Sequence, residues 1–220
     1  MKTLAVCLLA VTALAVTKAA EDPSIDHLLG KLPPPEKFVD PAISDPLIKH
    51  MVAAAKARNF GIALDDSRRL AQRYPKSVGA QYIHGQIALL LRMYPESTEA
   101  YHKALSIRPD FVDGLFGLGM AELYQRHFTK ASGDFQQVAR LVPDKDLGWV
   151  ALSVCSEKSG EKKDSLNYAR KATAMAPRSW VAWLQAAREE SLAGNKQAAV
   201  MDLVRASNLR KASAKPAKKT

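Results

Sequence analysis

The residues best suited to chemistry, histidine and cysteine, do not form a pattern typical of a catalytic or metal site. The five histidines are His27, His50, His84, His102 and His127. They contain no i, i+4 pair and no His-Glu-x-x-His arrangement of the kind that holds zinc. The sequence also lacks a phosphate-binding loop and a Gly-x-Ser-x-Gly turn for a nucleophilic serine. We therefore expect a protein that is not an enzyme and that binds no metal or cofactor.

The N-terminal segment is typical of a secretory signal peptide. Lys2 gives a charged start, and residues 4–16 form an uncharged run that is too short to span a bilayer comfortably. Small residues up to Ala20 offer several cleavage positions, and a retained membrane anchor is the alternative. We predict that residues 1–20 are a signal peptide and that the protein is exported. The short, alanine-rich signal favours a bacterial periplasm, with secretion from the cell as the alternative.

Removal of residues 1–20 would change both the charge and the cysteine content. The chain has 32 basic and 22 acidic residues and a formal net charge of +10, and loss of two lysines leaves +8. Of the 2 cysteines only Cys155 would remain, so no intrachain disulfide could form. Its neighbours Val154 and Ser156 belong to a helical pattern, which predicts a buried structural thiol.

The sequence repeats itself every 34 residues. Four prolines mark this period: Pro75, Pro109, Pro143 and Pro177. At the same period, one row of residues is small throughout: Ala63, Ser97, Ala131, Ser165 and Ala199. A second row contains only apolar residues: Leu70, Ala104, Val138, Ala172 and Ala206. Such agreement predicts a repeat protein.

Each repeat is predicted to contain two helices. Leu115, Leu118 and Gly119 follow the spacing of one helical face, and Ala131 and Phe135 continue it in a second helix. Turns are expected between the two helices, at residues 126–128, at Gly160 and at Gly194. The proline then ends the second helix. Ser44, Asp45 and Pro46 supply an N-cap and a first-turn proline for the first helix.

These residues resemble the tetratricopeptide repeat (TPR) superfamily. The resemblance is carried by residues of the third and fourth repeats, namely Leu118, Gly119, Ala131, Phe135, Pro143, Trp149, Gly160 and Pro177. It implies an all-α, right-handed superhelical solenoid of five helix-turn-helix repeats. The predicted repeats are residues 44–77, 78–111, 112–145, 146–179 and 180–213.

Several residues depart from the family pattern. His50 and His84 replace the leucine of later repeats, and we interpret both as structural. Glu122 and Glu190 lie where the family often has a large aromatic residue, and Glu122 could pair with Arg126 one turn on. The pair Asp65 and Asp66 is interpreted as part of a charged solvent face.

The resemblance implies that the first helix of each repeat lines a concave groove. On these helices a second set of residues is almost entirely apolar, and we call it the inner row: Ile48, Tyr82, Phe116, Met120, Val150, Val154, Leu184 and Arg188. An exposed apolar track of this kind indicates a binding site for an apolar or amphipathic peptide segment. The alternative is that the chain covers the inner row itself, with residues 21–43 or with its last helix.

The two ends of the chain are the remaining features. Residues 21–43 are proline-rich and are predicted to be a linker, whose Leu28, Leu29, Phe38 and Val39 could cap the first repeat. The C-terminal run from Arg205 contains six basic residues and no acid, and we interpret it as a solvated tail, with residues 214–220 disordered. An anionic surface could bind this tail through five residues: Arg210, Lys211, Lys215, Lys218 and Lys219.

Two functions are therefore expected from the sequence. The first is a non-enzymatic scaffold or adaptor that binds another protein in the groove, in cell-envelope assembly or secretion. The alternative is an envelope-surface protein whose basic tail holds anionic lipid or polymer. Nucleic acid is not expected as a partner, because the tail has no aromatic residue and the repeats have no basic stripe. The oligomeric state is not predicted.

Overall fold

A computed structural model describes residues 40–213. These residues form one short 3₁₀ helix, Pro41–Ser44, and ten α-helices, without a strand among them. The α-helices are α1 (Pro46–Lys56), α2 (Phe60–Arg73), α3 (Val78–Leu90), α4 (Tyr94–Ile107), α5 (Val112–Tyr124), α6 (Phe128–Leu141), α7 (Asp146–Ser159), α8 (Lys162–Met175), α9 (Trp180–Leu192) and α10 (Lys196–Ser213). The all-α class is confirmed. The predicted signal peptide, most of the predicted linker and residues 214–220 lie outside the described residues.

The chain divides into two compact units, with the boundary inside α6 between Asp134 and Phe135. In the first unit, α1 to α4 each pack against the next helix, α3 also contacts α5, and the 3₁₀ helix contacts α3. In the second unit, α7 to α10 pack in the same serial manner, and α7 also contacts α9. Such nearest-neighbour packing is the arrangement of helical repeat proteins. The exact boundaries of the five predicted repeats stay a prediction.

The helices begin and end at residues that the sequence marks. The Asp45 side chain caps α1 by accepting a hydrogen bond from the Leu47 amide at 2.9 Å. Ser77 caps α3 and Ser179 caps α9 in the same way. The four spaced prolines all follow the last residues of α2, α4, α6 and α8. A proline there has no amide hydrogen with which to continue the helix.

The turn inside each helix pair contains a residue with a left-handed backbone. Gly160 and Gly194 have φ angles of 88° and 85°, as suits the predicted turn glycines. Arg58, Arg92 and Arg126 occupy the same place in the earlier pairs, with φ angles of 58°, 61° and 63°. A side chain in this conformation costs about 1–2 kcal/mol. The turn geometry is therefore kept even where the residue type does not favour it.

The predicted core rows lie inside the protein. Every member of the apolar row from Leu70 to Ala206 is buried. In the small row, Ala63, Ser97, Ala131 and Ser165 are also buried, while Ala199 near the C-terminus is half-buried. The Ser97 hydroxyl donates a hydrogen bond to the carbonyl oxygen of Gly85 at 2.8 Å, which joins α4 directly to the backbone of α3. Small residues in this row therefore allow close approach of the paired helices.

We expect Gly148→Ala to destabilise the second unit. A Cβ atom on Gly148 in α7 would lie 2.6 Å from the backbone nitrogen of Ala139 and 2.8 Å from its Cα. Backbone atoms cannot rotate away, so overpacking should outweigh the helix propensity of alanine, with a net loss of about 1–3 kcal/mol. Urea unfolding measures this loss.

Gly133→Ala is the matched control for this prediction. Gly133 in α6 has no atom within 4 Å of the position a Cβ would take. Alanine there should leave stability unchanged or raise it by about 0.5–1 kcal/mol. Equal effects of the two substitutions would contradict the close contact at Gly148.

Candidate functional site

The inner-row residues of the first unit lie in its core. Ile48, Tyr82, Phe116 and Met120 are each no more than 3% exposed. The Tyr82 ring packs edge-on against Phe111 with 5.0 Å between ring centroids. Its hydroxyl accepts a hydrogen bond from Gln86 Nε2 at 2.7 Å, and burial raises the pKa of this hydroxyl. Tyr82 therefore acts as a packing residue in this structure.

The inner-row residues of the second unit differ in exposure. Val150 and Val154 are buried, whereas Leu184 is 39% exposed. Arg188 makes a two-pronged ion pair with Glu157, at 3.0 Å from Nε and 2.7 Å from Nη2. Leu184 is thus the one apolar member of the inner row that the described chain presents to solvent.

The expectation of a continuous exposed track is therefore wrong for six of the eight inner-row residues. The physical reason lies in the first helices themselves. In α5, every residue from Asp113 to Leu123 is buried, and α3 and α7 are buried almost as completely. Their apolar side chains are covered on the inner side as well as on the packing side. Burial of this kind agrees with the alternative that the chain covers its own inner row, while peptide binding stays a prediction.

The structure brings Ser67, His84 and Glu96 together, an arrangement that the sequence does not reveal. Ser67 Oγ lies 3.0 Å from His84 Nδ1, and His84 Nε2 lies 3.2 Å from Glu96 Oε1. However, Ser67 is fully buried and donates a hydrogen bond to the Leu64 carbonyl oxygen at 2.7 Å. Arg68 Nε donates to Glu96 at 2.6 Å, and burial lowers the pKa of His84. Since no substrate can reach the serine, we interpret these contacts as links between α2, α3 and α4.

The prediction that Asp66 belongs to a charged solvent face is wrong. Its side chain is 3% exposed and pairs with Nδ1 of His50. Asp65 does lie at the surface, where it pairs with Arg68 at 2.9 Å. Helical spacing separates the two neighbours by about 100°, so one faces α1 while the other faces solvent.

Glu122 does not form its predicted pair with Arg126. The Arg126 guanidinium lies over the Phe128 ring, 5.7 Å from its centroid. Glu122 is 3% exposed, and its Oε2 has no hydrogen-bond partner within the described chain. Burial raises the pKa of Glu122, and burial together with the charge of Glu122 raises the pKa of Asp134 to about 7. Two carboxyl groups in the first unit are therefore costly to ionise.

The second unit contains a buried polar cluster around Glu189. Ser165 donates a hydrogen bond to Glu189 Oε2, and Gln185 Nε2 donates to Oε1 at 2.8 Å. Gln185 also contacts Ser153 Oγ at 3.1 Å, so the cluster links α7, α8 and α9. Burial, with the nearby carboxylate of Glu157 adding to it, raises the pKa of Glu189 to about 7. No spacing rule in the sequence indicates this cluster, because its members come from three helices.

Residues 205–213 of the predicted basic tail are helical rather than disordered, and most of their side chains, including those of Arg205 and Arg210, are exposed. Arg205 stacks over the Trp183 ring at 4.1 Å, and Arg210 lies 5.2 Å from the centroid of Trp180. Arg210 and Lys211 belong to the last turn of α10. Three further members of the predicted anionic-surface site lie outside the described residues, namely Lys215, Lys218 and Lys219.

Two kinds of feature are absent from the described residues, namely clusters of metal-binding side chains and helices able to cross a membrane. Between residues 40 and 213, no three histidine, cysteine or acidic side chains are grouped so as to hold a metal ion. None of the helices in this range combines the length and apolarity needed to cross a membrane. Cys155 is buried, as predicted, and burial raises the pKa of its thiol to about 11.

The fold is similar to solved structures of repeat proteins. MamA residues 41-end from Desulfovibrio magneticus RS-1 superposes with a TM-score of 0.64 at 13% sequence identity, over 77% of this chain and 96% of that one. TTC0263, a thermophilic TPR protein of Thermus thermophilus, superposes with a TM-score of 0.59 at 15% identity, over 74% of this chain and 93% of that one. No protein-family model matches the sequence.

These similarities establish the class of fold. The chain has a TPR-type fold, as its 34-residue period predicts. At these identities the similarity extends to the fold and not to a ligand or a partner.

Proposed function

We propose that this protein is a non-enzymatic, exported protein-interaction module. It binds an apolar or amphipathic segment of another protein against the inner row, and acts in cell-envelope assembly or secretion. The observation that carries the proposal is the apolarity of the inner row. A partner with helix-spaced apolar residues can take the place of the chain's own cover over side chains such as Phe116.

Because the inner row is covered, a partner can bind there only after the covering segment has moved away. In the isolated chain the partner must displace whatever covers Ile48, Tyr82 and Phe116, since these side chains are buried. Exchange of one apolar cover for another leaves these side chains buried, so it gains little of the about 1.5–3 kcal/mol that burial of an exposed side chain provides, while association costs about 4–15 kcal/mol. We therefore expect weak affinity and slow binding that follows opening.

The exposed part of the inner row allows a test that does not disturb the core. Leu184→Glu should abolish capture of a partner from an envelope extract by residues 21–220, because Leu184 is accessible and lies on the inner row. Leu192→Glu is the control, since Leu192 is 59% exposed at the end of the same helix but outside the row. Equal capture by the two variants would contradict the proposal.

The linker provides an independent test of the cover. Leu28, Leu29 and Phe38 are the linker residues predicted to dock on the first repeat. If they cover the inner row, their replacement by serine should increase binding of an apolar dye and of an amphipathic helical peptide. Unchanged dye binding, with unchanged hydrogen exchange in α3 and α5, would assign the cover to another part of the protein.

Export can be tested separately. The proposal places the mature protein in a bacterial periplasm after removal of residues 1–20. N-terminal sequencing of the protein recovered from periplasmic and cytosolic fractions decides this point. A cytosolic chain that retains Lys2 would contradict export.

A second candidate function uses the basic C-terminus to hold an anionic envelope surface. It is favoured by the exposed Arg210 and Lys211, which continue the charge of the tail onto α10. Binding to anionic vesicles should then weaken with salt and be lost on truncation after Ser213, which leaves the helix intact. Vesicle binding that does not change with salt concentration would argue against this function.

A further inference from the structure

The last described helix, α10, carries an apolar stripe exposed to solvent. Four of its side chains are between 52% and 65% exposed, and we call them the α10 stripe: Val200, Met201, Leu203 and Val204. No other helix in the described chain exposes more than two large apolar side chains. An exposed cluster of this kind on a small protein marks an interaction surface.

Three of the four stripe residues lie away from the side of α10 that packs on α9. Ala206 is buried on the packing side, and Arg205 stacks over Trp183 of α9. At about 100° per residue, Val200, Met201 and Val204 project from the opposite side of the helix. They are therefore not needed for the packing of the second unit.

Residues 214–220, which follow α10, are unsuited to cover this stripe. They contain three lysines, one proline and no apolar residue larger than alanine. Seven residues make at most about two helical turns. The described repeats therefore present an apolar face at α10, whereas repeat proteins need a polar outer face at the end of the array to stay soluble.

We propose that the α10 stripe is the contact surface of a two-fold dimer, in which α10 packs antiparallel to α10 of a second copy. A two-fold interface brings the same patch of each subunit together, so one apolar patch can be buried against its copy on the second subunit. A head-to-tail array would need an apolar complement elsewhere. The first helix, α1, exposes Lys49, His50 and Lys56 and no large apolar side chain.

The charge distribution on α10 permits this contact. Residues 21–220 carry a net charge of +8, which disfavours self-association in general. However, the charged residues between 197 and 208 lie towards the packing side, since Asp202 is half-buried and Arg205 covers a tryptophan ring. The exposed polar residues beside the stripe are uncharged and able to form hydrogen bonds, namely Gln197, Ser207 and Asn208. Like charges are thus kept out of the centre of the contact.

The small size of the stripe sets the expected strength of the dimer. Four side chains from each copy make a smaller contact than the roughly 800 Å² per partner of stable complexes. We expect a dissociation constant on the order of 10–100 µM, which makes the dimer dependent on concentration.

Sedimentation equilibrium of residues 21–220 tests the proposal. The apparent mass should rise from one to two copies between about 5 and about 500 µM protein. Val204→Glu should raise the dissociation constant at least about tenfold, because a charge then lies in the centre of the contact. Ile62→Glu is the control, since Ile62 is an exposed apolar residue of α2 outside the stripe, and it should leave the dimer unchanged.

Cross-linking gives a second, independent measurement. Cys155 is buried and is the remaining cysteine of residues 21–220, so a Val204→Cys variant presents one reactive thiol. A bifunctional maleimide should couple two copies of this variant, and should couple Ile62→Cys much less. A protein that stays monomeric throughout, a dimer unaffected by Val204→Glu, or open-ended assembly would each overturn the two-fold contact. So would protection of the stripe by residues 21–39 of the same chain.

Discussion

Phe116→Glu should abolish cooperative folding of the first unit. The Phe116 side chain is fully buried in α5, so its truncation alone would cost about 3–5 kcal/mol. An ionised carboxylate in the same apolar site adds several kcal/mol more, because it loses its hydration without gaining a partner. The sum is comparable with the whole stability of a small domain, about 5–15 kcal/mol. Circular dichroism and urea unfolding at neutral pH measure the result.

Leu184→Glu is the matched control for this prediction. Leu184 belongs to the same inner row and undergoes the same chemical change, but it is 39% exposed. Its glutamate can remain hydrated, so we expect a loss of stability below about 1 kcal/mol. If Phe116→Glu folded as well as Leu184→Glu, the inner side of α5 would be open to solvent and the exposed groove expected from the sequence would be restored.

The sequence predicts the repeat architecture well because it depends on local geometry. A period of 34 residues, set by four prolines, locates the ends of four helices without knowledge of the packing. The small row locates the close approach within each helix pair for the same reason. The left-handed turns were found at Gly160 and Gly194 from their residue type, while Arg58 and Arg92 share the conformation without that signal.

The exposure of the inner row could not be predicted in this way. Periodicity shows that Tyr82 and Phe116 share a face, but it does not show what lies against that face. The high apolar content of α5 is the signal that could have indicated burial on every side, since a helix that is apolar all round is a buried helix. Leu115, Phe116, Leu118 and Met120 already spread large apolar side chains over about 200° of that helix, which is more than half of its circumference.

The buried acidic side chains were the part of the structure that the sequence predicted least well. Asp66 was predicted to face solvent and Glu122 to pair with Arg126, but both carboxyl groups are buried and neither prediction holds. The partner of Asp66 is His50, which belongs to the preceding helix and lies 16 residues away. A carboxylate can be buried at tolerable cost only when such a tertiary partner exists or when it takes up a proton. Neither condition is visible in a single helical pattern.

Protonation of buried acids leads to a pH-dependent prediction for Glu189. Burial raises its pKa from an ordinary value of 4.5 to about 7. Between these values the folded protein binds a proton that the unfolded chain has released. The contribution of the protonated Glu189 carboxyl group to the free energy of unfolding is fully present below about pH 4.5 and is lost as the pH rises towards 7. At pH 8 the folded protein must hold an ionised carboxylate beside Glu157.

Glu189→Gln should therefore stabilise the protein at pH 8 and change it little at pH 5. Glutamine carries no charge, and its carbonyl oxygen can accept the hydrogen bond from the Gln185 amide while its own amide nitrogen donates to Ser165 Oγ, which reverses the direction of the second hydrogen bond. We expect a gain of about 1–3 kcal/mol in the free energy of unfolding at pH 8. Urea titrations of the variant and the wild type at the two pH values give the difference, so that contributions from other groups such as Asp134 cancel.

Glu96→Gln is the control, because it should change the stability at pH 8 in the opposite direction. A hydrogen bond from Arg68 lowers the pKa of Glu96, so its charged form stabilises the fold above pH 4.5 and this contribution is lost as the pH falls. The glutamine variant at residue 96 should be less stable than the wild type at pH 8, whereas the variant at residue 189 should be more stable. If Glu189→Gln destabilised the protein equally at pH 5 and pH 8, the carboxylate would be ionised throughout. The cluster around Glu189 would then be an ion-pair site held by Arg188 rather than a protonated one.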